Sequence, residues 1–197
     1  MKKATYMIIN SMTLYRLVAA PFLVLLIILG EMELFKWLLL ISFFTDAVDG
    51  FFARKFNTTS AFGAHIDSIA DDCTIMAAIV GLCVWNFAFL LKEIVPIAIL
   101  FVLYLVQNVL ALRRFRRTTS FHTYTAKVAA VSQAIFLLTF FFIPQPIYWV
   151  FYLMVSLTII DLLEEIVLVI ILRDYRVNIK GLYWIYAERK VKDRADE

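Results

Sequence analysis

Charge is scarce in this chain. Asp, Glu, Lys and Arg make up 18% of its 197 residues against 63% hydrophobic, and the mean hydropathy is +0.84. So little polar surface excludes a water-soluble domain of this size and leaves a bilayer as the matching solvent. Five glycines and four prolines leave little material for long loops, so the chain is predicted to be mostly helix. Cysteine is nearly absent. Cys73 and Cys83 share one apolar stretch without CxxC or Cys/His spacing, which excludes a zinc site or disulfide framework and makes them small buried hydrophobes. The opening MKKATYMIINSM lacks the long apolar core and small-residue cleavage site of a signal peptide. It reads as an interfacial amphipathic helix over 1–12. With no internal repeat and no low-complexity segment, one membrane-embedded domain over 1–197 is expected.

What is abundant is apolar sequence of spanning length. Six such segments cover 13–30, 34–53, 63–91, 94–112, 124–143 and 147–172, each near or above the ~17–25 residues a helix needs to cross the hydrocarbon layer. Backbone polar groups in lipid must be satisfied within the segment, so these are helices. The expected fold class is an all-α integral membrane protein with six transmembrane helices and the short N-terminal interfacial helix. The connections differ in charge. Residues 30–33 and 144–146 carry no base and the turn after Leu91 carries Lys92, whereas Lys2, Lys3, Arg54, Lys55, Arg113, Arg114, Arg116, Arg117 and the tail from Arg173 crowd the other ends. The positive-inside bias therefore puts both termini and the loops 54–62 and 113–123 in the cytoplasm.

Against this background one stretch, DAVDGFFARKFNTTSAFGAHIDSIAD at 46–71, concentrates acids. Asp46, Asp49, Gly50 and Ala53 fall on one helical face, and Gly63, Asp67 and Asp71, each four apart, form a second stripe. Asp72 points about 100° away from Asp71. The short link between the helices makes them antiparallel neighbours, so the stripes can meet near the cytoplasmic surface. Facing carboxylates raise one another's pKa and do not all stay ionised without cations. Each charge at mid-bilayer costs on the order of 2.5–3.5 kcal/mol. All-oxygen ligands select hard cations such as Mg2+, Mn2+ or Ca2+, and four Asp from two helices suit a pair of ions of the kind used in phosphorus-centred transfer. Small residues at Gly50, Ala53 and Gly63 let a phosphorylated ligand approach the backbone, and Arg54 can hold a phosphate oxygen. The structural alternative is salt bridging to Arg16, Arg54 or Lys55, but buried ion pairs stabilise weakly and the acids outnumber the nearby bases.

The spacing Asp46-x2-Asp49-Gly50-x2-Ala53-Arg54-x8-Gly63-x3-Asp67-x3-Asp71 resembles the signature of the CDP-alcohol phosphotransferase (CDP-alcohol phosphatidyltransferase) family, with every fixed position filled. Asn10-x2-Thr13-x2-Arg16-x4-Pro21 resembles the first helix of bacterial members such as phosphatidylglycerophosphate synthases. The resemblance implies six transmembrane helices and transfer of a phosphatidyl group from CDP-diacylglycerol to a small alcohol with release of CMP, in phospholipid biosynthesis at the inner (cytoplasmic) membrane. It implies that Asp46, Asp49, Asp67 and Asp71 bind two divalent cations, Mg2+ or Mn2+, that Asp71 takes the proton of the attacking hydroxyl, and that Gly50, Ala53, Arg54 and Gly63 shape the CDP pocket. A homodimer, contact with membrane lipid, a cytoplasmic active site and no nucleic-acid partner are the further expectations.

The acceptor is less defined. Arg113, Arg116, Arg117 and Lys127 are candidates for holding an acceptor phosphate such as that of glycerol 3-phosphate, although the arginine run also serves as a topology signal. Glycerophosphate-type members show Gly-Lys-x-Lys-Thr where this chain reads Ala126-Lys127-Val128-Ala129-Ala130, so inositol phosphate, serine or another alcohol stays open. Asp161, Glu164 and Glu165 share one face of the last helix. They serve either an acceptor or pairing with Arg16 or the 113–117 arginines. Gln107 and Asn108 are expected to be interhelical hydrogen-bonding groups, and His65 and His122 packing or headgroup residues. Two other classes remain: an ion transporter lined by acids, and an intramembrane prenyltransferase, whose paired Asp motifs lack the Gly-x2-Ala-Arg element.

Overall fold

A computed structural model of the chain describes residues 15, 18–56, 61–116, 119, 121, 123–172, 174 and 179–187, with backbone only at 49–56, 61–69, 71 and 72. The proposed N-terminal helix over 1–12 lies outside the described residues, as does the link 57–60. Among the described residues the structure is all helix and loop, with no strand. In chain order the helices are α1 (Val18–Leu29), α2 (Met32–Phe56), α3 (Ala61–Trp85), α4 (Phe87–Lys92), α5 (Ile94–Phe115), α6 (Tyr124–Phe142) and α7 (Tyr148–Ile171). A last turn of helix follows at 182–187.

Local chemistry accounts for the boundaries. Gly30, at φ 74°, ends α1: its N–H donates to Ile27 O at 3.1 Å and the Glu31 N–H to Leu26 O at 2.9 Å, the paired bonds of a glycine-terminated helix. The apolar run 63–91, read as one span from sequence, is interrupted at Asn86. The Asn86 Oδ1 accepts the Phe89 N–H at 3.1 Å, so this side chain caps α4 and stops α3 at Trp85. Thr123 caps α6 likewise, its hydroxyl accepting the Ala126 N–H at 3.1 Å.

The chain divides into two compact units. The first comprises 1–91 with 141–144. Here α2 buries Phe35, Leu39 and Ser42, and α3 buries Ala70, Thr74, Ala77, Ala78, Gly81 and Leu82, a large-on-small arrangement that lets helices approach without a polar driving force. The Phe35 ring stands edge-on to Trp85 at 4.9 Å and to Phe141 at 5.0 Å. A Cβ on Gly81 would meet both Phe35 and Trp85 at 3.0 Å, so the missing side chain makes room for the aromatic. Because Phe35 opens α2 and Trp85 closes α3, the two helices run antiparallel.

The second unit comprises 92–140 with 145–197. Helices α5 and α7 pack along each other, and their C-terminal ends share a core of Ala111, Phe121, Leu168, Val169, Leu172, Ile179 and Ile185. Phe136 of α6 meets Phe151 of α7 at 5.3 Å, and Gln133 Nε2 donates to the Thr158 hydroxyl at 3.1 Å. Glu93, nearly buried, accepts from the Tyr152 hydroxyl at 2.9 Å, while Lys92 donates to the Tyr148 hydroxyl at 2.9 Å.

Apolar side chains also cover the outside. Ile28 is 76% exposed, Val95 66% and Trp149 70%. Water-facing proteins rarely expose large apolar side chains in such number. Of the described helices, α5 and α6 are long and apolar enough to cross a membrane. Helix α7 is 24 residues long but carries Asp161, Glu164 and Glu165, which interrupt its apolar character.

Candidate active site

Helices α2 and α3 are both continuous through the acidic stretch. Their packed stripes lead straight into it. On α2 the buried Phe35, Leu39 and Ser42 are followed at alternating steps of four and three by Asp46, Asp49 and Ala53. On α3 the buried Thr74 and Ala70 are preceded, at the same spacing, by Asp67 and Gly63, with Asp71 beside them. Residues so spaced lie on one helical face. By that spacing the acidic positions continue the stripes that are buried further along each helix.

The antiparallel register adds a second relation. Phe35 stands against Gly81, and both helices rise by about 1.5 Å per residue. Counting equally from that contact brings Asp46 level with Ala70 and Asp71, Asp49 with Asp67, and Ala53 with Gly63. By this count each acid position of α2 falls within one residue of the level of an acid position on α3, and the small residues match one turn further on. Arg54 follows Ala53 on α2. Asp46 is half-buried, the one acid of the set whose side chain is described. The donor set is oxygen only, drawn from two adjacent helices, and it suits hard divalent cations.

The second unit holds the other candidates. Arg113 and Arg116 are exposed at the end of α5, where Arg116 adopts φ 56° and its N–H donates to Leu112 O at 3.0 Å. Arg117 lies outside the described residues. Between Arg113 and Arg116 in sequence, Arg114 plays a structural part. Its Nε and Nη2 donate to Leu172 O at 3.1 and 2.9 Å, closing the C-terminus of α7. Lys127 is exposed in the first turn of α6, its Nζ 5.2 Å from the centroid of the Tyr124 ring.

The acids of α7 bind neighbouring polar groups. Glu165 accepts from Gln107 Nε2 at 2.7 Å and from the Thr119 hydroxyl at 3.0 Å, and Gln107 also donates to Thr119. The hydroxyl of Thr125 donates to Glu164 and stands 3.2 Å from Asp161 Oδ1. Glu164 accepts the Leu182 N–H at 2.8 Å. Gln107 thus bonds across helices as expected, while Asn108 turns back to Tyr104 O of its own helix at 3.0 Å. Sequence reasoning singled out the acids but missed Thr119, Thr125 and the C-terminal segment as their partners. The one local signal was the Thr-rich stretch before α6.

A family model described as CDP-alcohol phosphatidyltransferase matches residues 6–170. Over a shorter stretch the chain is similar to CDP-diacylglycerol--glycerol-3-phosphate 3-phosphatidyltransferases. With that of Sodalis glossinidius (strain morsitans) it shares 37% identity over 76 residues, covering 35% of this chain and 40% of the relative. With that of Wigglesworthia glossinidia brevipalpis it shares 32% over 74 residues, covering 36% and 41%. With that of Haemophilus influenzae it shares 36% over 73 residues, covering 35% and 39%. The chain thus aligns with about two fifths of the length of each of these curated relatives. No solved structure matches it.

Proposed function

The chain belongs to the CDP-alcohol phosphatidyltransferase family, and on that basis we propose that it transfers the phosphatidyl group of CDP-diacylglycerol to a small alcohol, with glycerol 3-phosphate as first candidate. What supports the reading is the spacing by which the faces buried at Phe35, Leu39 and Ser42 on α2 and at Thr74 and Ala70 on α3 run on to Asp46, Asp49, Asp67 and Asp71. Similarity to relatives named for glycerol 3-phosphate supports that acceptor.

In the reaction, the acceptor hydroxyl oxygen attacks the phosphatidyl phosphorus, and the phosphorus–oxygen bond to CMP breaks. Asp71 takes the hydroxyl proton, a role open to a carboxylate within hydrogen-bond reach. Asp46, Asp49, Asp67 and Asp71 would hold two Mg2+ or Mn2+ ions, which supply the positive charge that offsets the diphosphate and the leaving CMP. Gly50, Ala53 and Gly63 keep the backbone approachable for the cytidine diphosphate, and Arg54 binds a phosphate oxygen through its forked donors. Arg113, Arg116, Arg117 and Lys127 take the phosphate of the acceptor. Six helices cross the inner membrane, an interfacial helix precedes them, and the active site faces the cytoplasm. One domain spans 1–197, and two copies pair as a homodimer in contact with membrane lipid.

The test is CMP release by purified protein supplied with CDP-diacylglycerol, Mg2+ and, in turn, glycerol 3-phosphate, inositol phosphate, serine or a second phospholipid. CMP is expected only when an acceptor is present, most rapidly with glycerol 3-phosphate. EDTA should stop release, and added Mg2+ or Mn2+ should restore it. No CMP with any acceptor, together with cation flux into vesicles lacking nucleotide, would move the assignment to a transporter; diphosphate release from a prenyl donor would move it to a prenyltransferase.

A further inference from the structure

The C-terminal segment 179–187 is built into the second unit at several points. The Tyr124 N–H, at the start of α6, donates to Lys180 O at 3.2 Å, and the Leu182 N–H donates to Glu164 Oε1 at 2.8 Å. Ile179 and Ile185 join the core formed by Ala111, Phe121, Leu168, Val169 and Leu172. Gly181, at φ 148°, brings the chain so close to α7 that a Cβ there would meet Glu164 Oε1 at 3.0 Å and the Trp184 ring at 3.4 Å. The result is an aromatic contact: Trp184 lies 5.3 Å from Tyr124, ring centre to ring centre. Tyr124 in turn carries the Lys127 ammonium at 5.2 Å. Both separations fall in the range where ring–ring and cation–ring attraction operate.

A lysine ammonium on a four-carbon stem is otherwise free to sweep, and ordering it costs side-chain entropy. We infer that Trp184, acting through Tyr124, is a positioning residue that holds Lys127 ready for the phosphate of the acceptor. The inference rests on the reading in which Lys127 takes that phosphate. It gives the C-terminal segment a part in acceptor selection, and it makes the ring of Trp184, rather than its indole N–H, the operative group.

Trp184 is 40% exposed and is no part of the buried cluster around Leu168, so its replacement leaves that cluster in place. Trp184→Ala is expected to raise KM for glycerol 3-phosphate about three- to fivefold, the scale of one lost ring–ring contact, with KM for CDP-diacylglycerol and kcat unchanged. Trp184→Phe should restore the wild-type value. A second readout does not depend on turnover. In protein whose lysines carry 13C-methyl groups, the Lys127 resonance, identified by its loss in Lys127→Arg, should shift in Trp184→Ala and return in Trp184→Phe. An unmoved resonance, or KM values for both substrates that rise together, overturns the positioning role. A wild-type protein that ignores glycerol 3-phosphate overturns the acceptor reading instead, and the resonance then still decides whether Trp184 orders Lys127.

Discussion

Exchanging a carboxylate for its amide keeps the volume and removes both a negative charge and a proton acceptor, which makes Asp71→Asn the sharpest probe of the acidic stretch. CMP release should fall by about 100-fold or more, the lower end of what a general base contributes, while the melting temperature in detergent stays where it was. Wild-type turnover by this variant would remove Asp71 from the proton transfer. Single residues are also what the sequence shows most directly. Asp46 and Asp49 stand three apart and Asp67 and Asp71 four apart, and helical periodicity is local, so the shared face of each pair is legible without the rest of the chain. Arginines were harder to tell apart. Arg113 and Arg114 are adjacent and equally basic, yet Arg114 donates to Leu172 O from 58 residues away, a bond that no local pattern encodes.

At the level of elements, hydropathy located the apolar segments but was blind to what ends them. It joined 63–91 into one span because Asn86 is a single polar residue in a greasy run. As an N-cap accepting the Phe89 N–H, that residue is enough to stop a helix. The C-terminal segment escaped notice for the opposite reason: its hold on the fold comes from Glu164, Tyr124 and the core around Leu168, all distant in sequence. Gly181 is the element's weak point. Its φ of 148° lies where glycine is the natural occupant, and forcing another residue there costs about 1–3 kcal/mol. Gly181→Ala should therefore lower the melting temperature and speed cleavage after Lys180 by trypsin. Unchanged melting and unchanged cleavage would mean that the turn into 182–187 contributes nothing to stability.

For the molecule as a whole, the governing fact is the solvent it implies. Helix α5 leaves most of its apolar length uncovered by its own unit, and α1, with Ile28 at 76%, does the same. Such surface is unfavourable in water, at roughly 25 cal/mol per Å2 of apolar area, but costs nothing in hydrocarbon. Helices and closed barrels are the forms in which a backbone can enter that phase, and the described residues form helices. Orientation then follows from where the bases gather, and it is testable on the whole chain. Cys73 and Cys83 are first replaced by serine, after which single cysteines are introduced by Glu31→Cys and Thr118→Cys. In intact spheroplasts a membrane-impermeant maleimide should label position 31 and spare position 118 until the membrane is opened. The reverse pattern would place the acidic stretch on the outer face, away from a nucleotide-activated lipid made in the cytoplasm, and the proposed reaction would lose its donor. Labelling at both positions before opening would mean that the segments between them do not cross an odd number of times, and the topology drawn from the arginines would fail with it.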